Sequence, residues 1–405
     1  MVEGFKHTEI GMIPSDWEVK KIVENSTMKA RIGWQGLTVS EYLDRGDYFL
    51  ITGTDFVEGK IKWDTCHFVE KSRYDQDKNI QIKEGDILIT KDGTIGKIAF
   101  VDELPMPATL NSGVFVIRPK KNDNYVPQFL FHIFNSFYFN DFLNRLTAGS
   151  TIVHLYQKDF TSFNFPLPTL AEQTAIATAL NDADALIQKL EQLISKKRYL
   201  KTGAMQELLR PKEGWEVKKL GEIGECIIGL TYSPSNVKSE GKLVLRSSNI
   251  KGNRLAYEDN VFVDVQVSER LIVRKGDILI CVRNGSRNLI GKCAYIDGKA
   301  IGETFGAFMS VFRSPYNDFV FHAFQSHCIQ RQIEETIGAT INQLTNKNLN
   351  SFEIPFPNPI EQTRIACILS DMDNEIQALE TQLEQYKRVK QGMMQSLLTG
   401  KIRLV

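Results

Sequence analysis

The sequence predicts an α+β chain: two repeated mixed α/β domains separated by two long helices, which pair as an antiparallel coiled coil with approximate two-fold symmetry. Three observations carry this reading. "FPLPTLAEQTAIATAL" at residues 165–180 returns as "IPFPNPIEQTRIACIL" at 354–369. The text before each proline cluster is strand-like, and the text after it is purely helical. The helical text places apolar residues at alternating steps of four and three, which is a heptad seam.

The repeat spans the chain. "SDWEVKKI" at 15–22 returns as "EGWEVKKL" at 213–220, and "KEGDILIT" at 83–90 as "RKGDILIC" at 274–281. "GKIAFVD" at 96–102 returns as "GKCAYID" at 291–297, and "FLFHIFNS" at 129–136 as "FVFHAFQS" at 319–326. The offset drifts within the globular parts, where loops differ in length, and is constant from 149 to 209, where insertions are not tolerated.

Residues 1–165 form the first globular domain, with strands predicted in "YFLITGTDF", "GDILIT", "GKIAFV" and "GVFVIRP". One helix is predicted over "VPQFLFHIFNSFYFNDFLNRL", with Pro127 in its first turn. Residues 166–210 form the first spacer helix, with Ile176, Leu180, Ala183, Ile187, Leu190 and Ile194 as its seam. Thr169 and Glu172 have capping-box spacing at its start. Residues 211–357 repeat the globular domain, and 358–405 the helix, with Ile365, Leu369, Met372, Ile376, Leu379 and Leu383 in the seam and Asn358 with Glu361 at the start. Gly203 and Gly392 weaken each helix modestly. A helix of about 40 residues is about 60 Å long. A domain the size of 211–357 is only about 35 Å across, so the second helix starts near the end of the first and runs back along it.

The chain of 405 residues has 49 basic and 49 acidic side chains. Such balance excludes a protein that grips DNA by net charge alone. No apolar run reaches membrane-spanning length. The polar N-terminus lacks a signal-peptide core. The six cysteines include no C-x-x-C pair, and the expectation is reduced thiols in the cytoplasm. Cys281, Cys293, His322 and His327 have the wrong spacing for a zinc knuckle and no counterpart cysteines in the first repeat, so no metal site is assigned.

The order domain–helix–domain–helix, the "WEVKKL" start, "GDILI" followed by "IGK", and the doubled proline–Glu–Gln helix start together resemble the specificity subunit of a type I restriction–modification enzyme. The resemblance covers essentially the whole chain. It implies that each globular domain is a target recognition domain for one half of a split double-stranded DNA sequence. It implies that the helices set the gap and dock two modification (methyltransferase) subunits, with restriction subunits joining further out. S-adenosylmethionine and ATP would belong to those partners, and no cofactor is expected in this chain. The residues agree with a non-catalytic role: "IGK" lacks P-loop spacing, and no Asn-Pro-Pro-aromatic or Asp-Pro-Pro-aromatic tetrapeptide occurs. Asp86 and Asp277 read as strand-start turns, and His132 and His322 as packing residues.

Two domains that read different half-sites should share scaffold and differ where they touch DNA. The segments that fail to match nominate Arg31, Trp34, Gln35, Thr54, Lys91, Asp92 and Thr94 in the first domain. In the second they nominate Tyr232, Arg246, Ser248 and Asn249, and, in a longer loop after "GDILI", Arg283, Asn284, Ser286, Arg287 and Asn288. Arginine pairs guanine bidentately and asparagine pairs adenine, so this composition suits a groove. Met205, Leu208, Leu209, Met393, Met394, Leu397 and Leu398 exceed what one seam needs and are expected to meet partner subunits. The basic run Lys196, Lys197, Arg198 and Lys201, matched by Lys387, Arg388 and Lys390, is either a solvated face or a contact to phosphates or an acidic surface. The rival function is a coiled-coil scaffold or ligand-binding protein that never touches DNA, which the neutral net charge favours.

Overall fold

The computed structural model describes residues 4–121, 123–147, 154–337 and 343–404. The chain divides into two compact units, Met1–Leu190 with Gln382–Val405, and Glu191–Thr381. Both long helices contribute to both units. Among the described residues no helix is long and apolar enough to cross a membrane.

In the first unit an antiparallel sheet is ordered Ile98–Phe100, Ile87–Thr90, Val114–Pro119, Ser26–Ala30. Its inner strands are covered on both faces, which is why they read as continuous apolar runs. Ile87, Ile89, Phe115 and Ile117 pack on Phe129, Phe134, Phe139 and Phe142 from the helical layer. Leu88, Val114 and Val116 point the other way, onto Phe49, Ile51 and Leu110 of a smaller sheet. In that sheet Ala108–Leu110 runs parallel to Phe49–Ile51. The second unit repeats the plan with Glu225–Ile228, Met309–Arg313, Ile278–Cys281 and Cys293–Tyr295, over a sheet in which Thr304–Phe305 runs parallel to Lys242–Leu245.

The repeated motifs each have a physical task. Asp86 is buried, accepts the Lys83 amide at 2.8 Å and takes both Nε and Nη2 of Arg118 at 2.6 Å. Asp277 does the same with the Arg274 amide and Arg313. "GDIL" is therefore a turn clamped to the neighbouring strand. The "WEVKK" strands Glu18–Lys21 and Glu216–Lys219 pair with the proline strands Asn164–Leu167 and Glu353–Phe356 that lead into the long helices. Gln173 and Gln362 donate back to the Pro168 and Pro357 carbonyls at 2.8 and 2.7 Å, which fixes the angle at which each helix leaves its strand.

Two local expectations change. The predicted phenylalanine helix is two helices, Pro127–Phe134 and Phe137–Thr147, broken where Ser136 bonds the Ile133 carbonyl and accepts the Tyr138 amide. Thr169 caps the first long helix by accepting the Glu172 amide at 3.3 Å, but the Glu172 carboxylate does not complete a capping box. It is buried instead, accepting from the Trp17 indole at 3.0 Å and pairing with Arg403.

The long helices span Leu170–Leu208 and Pro359–Leu397. Within each unit they run antiparallel. In the first, Asp184 pairs with Lys390, and Ile176 and Leu180 share a core with Leu397 and Leu398. In the second, Arg198 pairs with Glu380, Lys197 with Glu375 and Lys201 with Asp373, while Ile365 and Leu369 share a core with Leu208 and Leu209. Much of the basic run thus finds its acidic surface on the facing helix of the same chain, each exposed pair contributing at most about 1 kcal/mol.

His132 and His322 tie each domain to its own helix. Both are buried, and their Nε2 atoms meet Asn181 Oδ1 at 2.8 Å and Ser370 Oγ at 3.0 Å. Burial pushes both from 6.5 down to about 4, outweighing Asp184 beside His132 and Asp373 beside His322. The unfolded chain therefore binds the extra protons first. Stability should be full above the unfolded value and fall as pH drops towards the folded one, by up to about 1.4 kcal/mol per histidine per pH unit. Urea midpoints should decrease from about pH 7 to about pH 5, and decrease less for His132→Gln. Equal slopes for both proteins would remove His132 from this account.

Candidate nucleic-acid interface

Strand register gathers the unmatched segments at one end of the sheets in each unit. In the first, Ala30 pairs with Phe115, Thr90 with Val114, and Ile51 with Leu110. The loops that follow Ala30, Ile51, Thr90 and Leu110 therefore emerge side by side. They are stitched together by the Asn111 amide on the Ile51 carbonyl at 2.9 Å and the Lys91 amide on the Gly113 carbonyl at 2.8 Å. In the second unit Ile228 pairs with Ser310, Cys281 with Met309, and Leu245 with Phe305. The loops starting at Gly229, Arg246, Val282 and Gly306 share that end. Gly229 is required there, because a Cβ would lie 2.2 Å from the Gly306 carbonyl oxygen.

At the first unit's end, Thr54 is exposed with its hydroxyl on Thr52 at 2.7 Å, and Thr94 is exposed. The Lys91 ammonium lies 5.5 Å from the centre of the Phe115 ring. Asp92 is bonded to His154 Nδ1 at 2.5 Å. The Trp34 side chain lies outside the described ones. Two expectations are corrected here. Arg31 is 1% exposed and its guanidinium is consumed internally, by the Leu110 carbonyl at 2.8 Å, Gln76 Oε1 at 3.1 Å and Thr109 Oγ1 at 3.2 Å. It braces the loop end from beneath, and burial, then the nearby charge of Arg73, lowers its proton affinity. Gln35 is likewise buried.

At the second unit's end, Tyr232 is half-buried and Arg246 pairs with Asp259 at 2.9 Å. Ser248 Oγ is buried without a protein partner. Asn249 is a third correction. It is fully buried, accepts the Arg246 amide at 2.9 Å and donates to the Ala256 carbonyl at 2.9 Å. Asp55, its counterpart, accepts the Thr52 amide at 2.8 Å in the same way. The residue types differ but the turn-closing task is shared, so the mismatch marks scaffold. In the long loop, Asn284 donates to Ser247 at 3.0 Å and accepts the Ser286 amide at 2.9 Å, joining two nominated segments. Ser286, Arg287 and Asn288 are exposed, and Arg287 reaches the Glu334 carbonyl at 3.4 Å. Arg283 is exposed, with its guanidinium carbon 5.0 Å from the centre of the Phe308 ring.

The residues assigned to partner contact are also relocated. Met393, Met394, Leu397 and Leu398 lie in or against the core of the first unit, and Met205, Leu208 and Leu209 in or against that of the second. The apolar surplus at each helix end is covered by a globular domain of the same chain. Phe308 and His154 are the residues that sequence reasoning missed. Phe308 was accessible to the same comparison, since its counterpart across the repeat is Gly113.

A sequence profile for the type I restriction modification DNA specificity domain matches residues 14–196 and again 212–387. The chain belongs to this family. The putative type I restriction enzyme MjaX specificity subunit of Methanocaldococcus jannaschii is 29% identical, over 99% of this chain and 97% of that one. The MjaVIII specificity subunit of the same organism is 27% identical, over 99% and 96%. The EcoKI specificity subunit of Escherichia coli is 25% identical, over 71% and 65%. The crystal structure of a type I S subunit from M. genitalium aligns with a TM-score of 0.62 over 94% of this chain and 96% of that one, at 17% identity, which is a likeness of fold. The doubled profile match coincides with the two copies of the mixed sheet and helix layers, as a type I specificity subunit with two target recognition domains requires.

The two kinds of loop arginine should separate on mutation. Arg31→Ala strands the Leu110 carbonyl, Gln76 and Thr109 in a buried site and should cost about 2–4 kcal/mol of stability. Arg283→Ala removes an exposed side chain and should leave the denaturation midpoint within about 0.5 kcal/mol of the parent. Parallel chemical denaturation of both variants checks this, and an unchanged midpoint for Arg31→Ala would contradict its role as a brace.

Proposed function

We propose that this chain is the non-catalytic DNA sequence-recognition subunit of a type I restriction–modification complex, with each globular domain reading one half of a bipartite double-stranded target. One observation carries the reading: at the same sheet end of two otherwise matched units, the loops are the places where the copies differ. Scaffold identity with loop difference is what two readers of different half-sites need. Arg283 and Arg287 supply base-edge or phosphate donors there, although the whole chain has no charge excess.

In this reading the paired helices set the gap between half-sites and dock two modification subunits, and restriction subunits join the larger assembly. Since the methionines and leucines at the helix ends are committed to the cores, docking falls to side chains still exposed along the helices, such as Tyr199 and Leu200 on the first. S-adenosylmethionine and ATP are assigned to the partner subunits, and the complex to the cytoplasm. The neutral net charge supports the rival scaffold reading, and one measurement separates the two. The chain assembled with its modification subunit should bind one duplex sequence over others. Sequence-blind or absent binding by the assembled complex favours the scaffold.

Exchange of residues 1–165 for the equivalent domain of a related specificity subunit should change one half-site only, as read by sequencing methylated bases in cells that carry the complex. Changes in both halves would show that the domains do not read independently. Whole turns inserted in the 176–200 stretch, matched by equal lengthening of the second helix, should widen the gap and leave both half-sites intact. Retained binding with an unaltered gap would defeat the role of the helices as a ruler.

A further inference from the structure

Phe308 is a large apolar side chain left 57% exposed at the loop end of the second unit, where the matched unit has Gly113. Its backbone is held firmly. It sits in the tight turn closed by the Met309 amide on the Gly306 carbonyl at 2.8 Å, and its own carbonyl accepts the amides of Val282 and Arg283 at 3.0 and 3.1 Å. Those bonds place the Arg283 backbone directly beside the ring. Arg283 also bridges to Gln343 on its other side. The guanidinium then lies 5.0 Å from the ring centre.

A second arginine of this end, Arg246, pairs with Asp259 at 2.9 Å. Among the described residues no carboxylate forms an ion pair with Arg283. Its charge is thus unspent, and its position is fixed by a ring instead of an anion. Arginine loses much side-chain freedom when it makes an ordered contact, and a guanidinium held over a ring has already lost part of it. A cation–ring contact uses none of the guanidinium's N–H groups as hydrogen-bond donors, so the fork that matches the N7 and O6 acceptors of guanine is still available. Arg287 is exposed, and among the described residues its side chain has no ring beneath it and meets only the Glu334 carbonyl, at 3.4 Å.

We infer that Phe308 is a positioning residue for base readout: its ring presents the Arg283 guanidinium for bidentate recognition of one guanine in the second half-site. The inference rests on the DNA-reading function proposed above. In the first unit the counterpart of Arg283 is Asp92, which is bonded to His154 over a glycine, so the two units place opposite charge at equivalent positions and should not demand the same base there.

The test uses the complete chain assembled with its modification subunit and fluorescein-labelled duplexes. One duplex carries the site found by sequencing methylated bases in cells that hold the complex; the others carry each single base-pair change in both half-sites. Arg283→Ala, Arg283→Lys, Phe308→Ala and Phe308→Tyr are compared with the parent. The parent should lose about tenfold or more in affinity when one particular G·C pair of the second half-site is changed. Arg283→Ala, Arg283→Lys and Phe308→Ala should each shrink that penalty to about twofold, at that position and no other. Phe308→Tyr, which keeps the stacked ring, should retain it. Melting temperature and first half-site penalties should not change in any variant. The inference is overturned if Phe308→Ala weakens every duplex equally, if it relaxes a different position from Arg283→Ala, or if it leaves all penalties unchanged. If the parent complex itself shows no sequence preference, the DNA-reading function falls first and this inference with it; specific binding by the parent with no effect of Phe308→Ala defeats the inference alone.

Discussion

The structure depends on how each long helix disposes of its apolar ends. A 39-residue helix with a heptad stripe cannot leave that stripe in water. Leu190, Ile194 and Ile376 in the middle of the stripes are buried, and each end is covered by a globular domain. In the first unit Ile176 and Leu180, from the start of one helix, and Leu397 and Leu398, from the end of the other, complete a core built on Phe134, Phe163 and Phe165. In the second unit Ile365 and Leu369 meet Leu208 and Leu209 over Phe352 and Phe324. Neither globular domain closes its core without a helix segment from the other half of the sequence. That constraint explains why the 149–209 stretch repeats without insertion or deletion: a residue added there would rotate every later seam position by about 100° and displace the helix end from its domain.

Polar contacts then set the angle of each helix against its domain. In the first unit the buried Glu172 carboxylate joins the Trp17 indole to Arg403, and Arg403 continues to Asp16 at 2.8 Å. In the second unit Glu361 takes Lys212 at 3.3 Å, and that ammonium lies over the Trp215 ring. The same three ingredients, a helix-start glutamate, a cation and the tryptophan of the "WEVKK" segment, recur with different cations. The buried histidine pairs add a second tie about two and a half turns further along the helix. Within each unit these ties hold the start of the helix against its own globular domain.

At the loop end of each unit the same scaffold carries different chemistry. The turn closed by Asp55 in one copy is closed by Asn249 in the other, through the same bond to the amide three residues earlier. The strand-end position occupied by Asp92 in one is Arg283 in the other, and the aromatic ring that Arg283 rests on has no side-chain counterpart. The loops vary in side chains and, after "GDILI", in length, while the sheets beneath them stay the same.

Much of this was legible in the sequence because it is periodic. The doubled proline–Glu–Gln text, the four–three spacing from Ile176 to Ile194 and the apolar "DILI" runs express local rules of helix and strand, and they determined the domain order, the helices, the strands and the family. The comparison of the two copies also located the loop end, since loops that lie apart in sequence but differ together proved to share one edge. What the sequence could not determine was which side of that edge each residue occupies. Arg31 and Arg283 are both arginines in unmatched loops, yet one is consumed by the Leu110 carbonyl, Thr109 and Gln76 beneath the surface and the other stands over Phe308. Likewise Leu397 and Leu398 exceed the needs of a helix seam, but only the docked core shows that their own chain covers them. Burial is set by segments tens to hundreds of residues away in the chain, so the sequence determined where chemistry was available, and the tertiary structure alone decided which side chains remain free to use it.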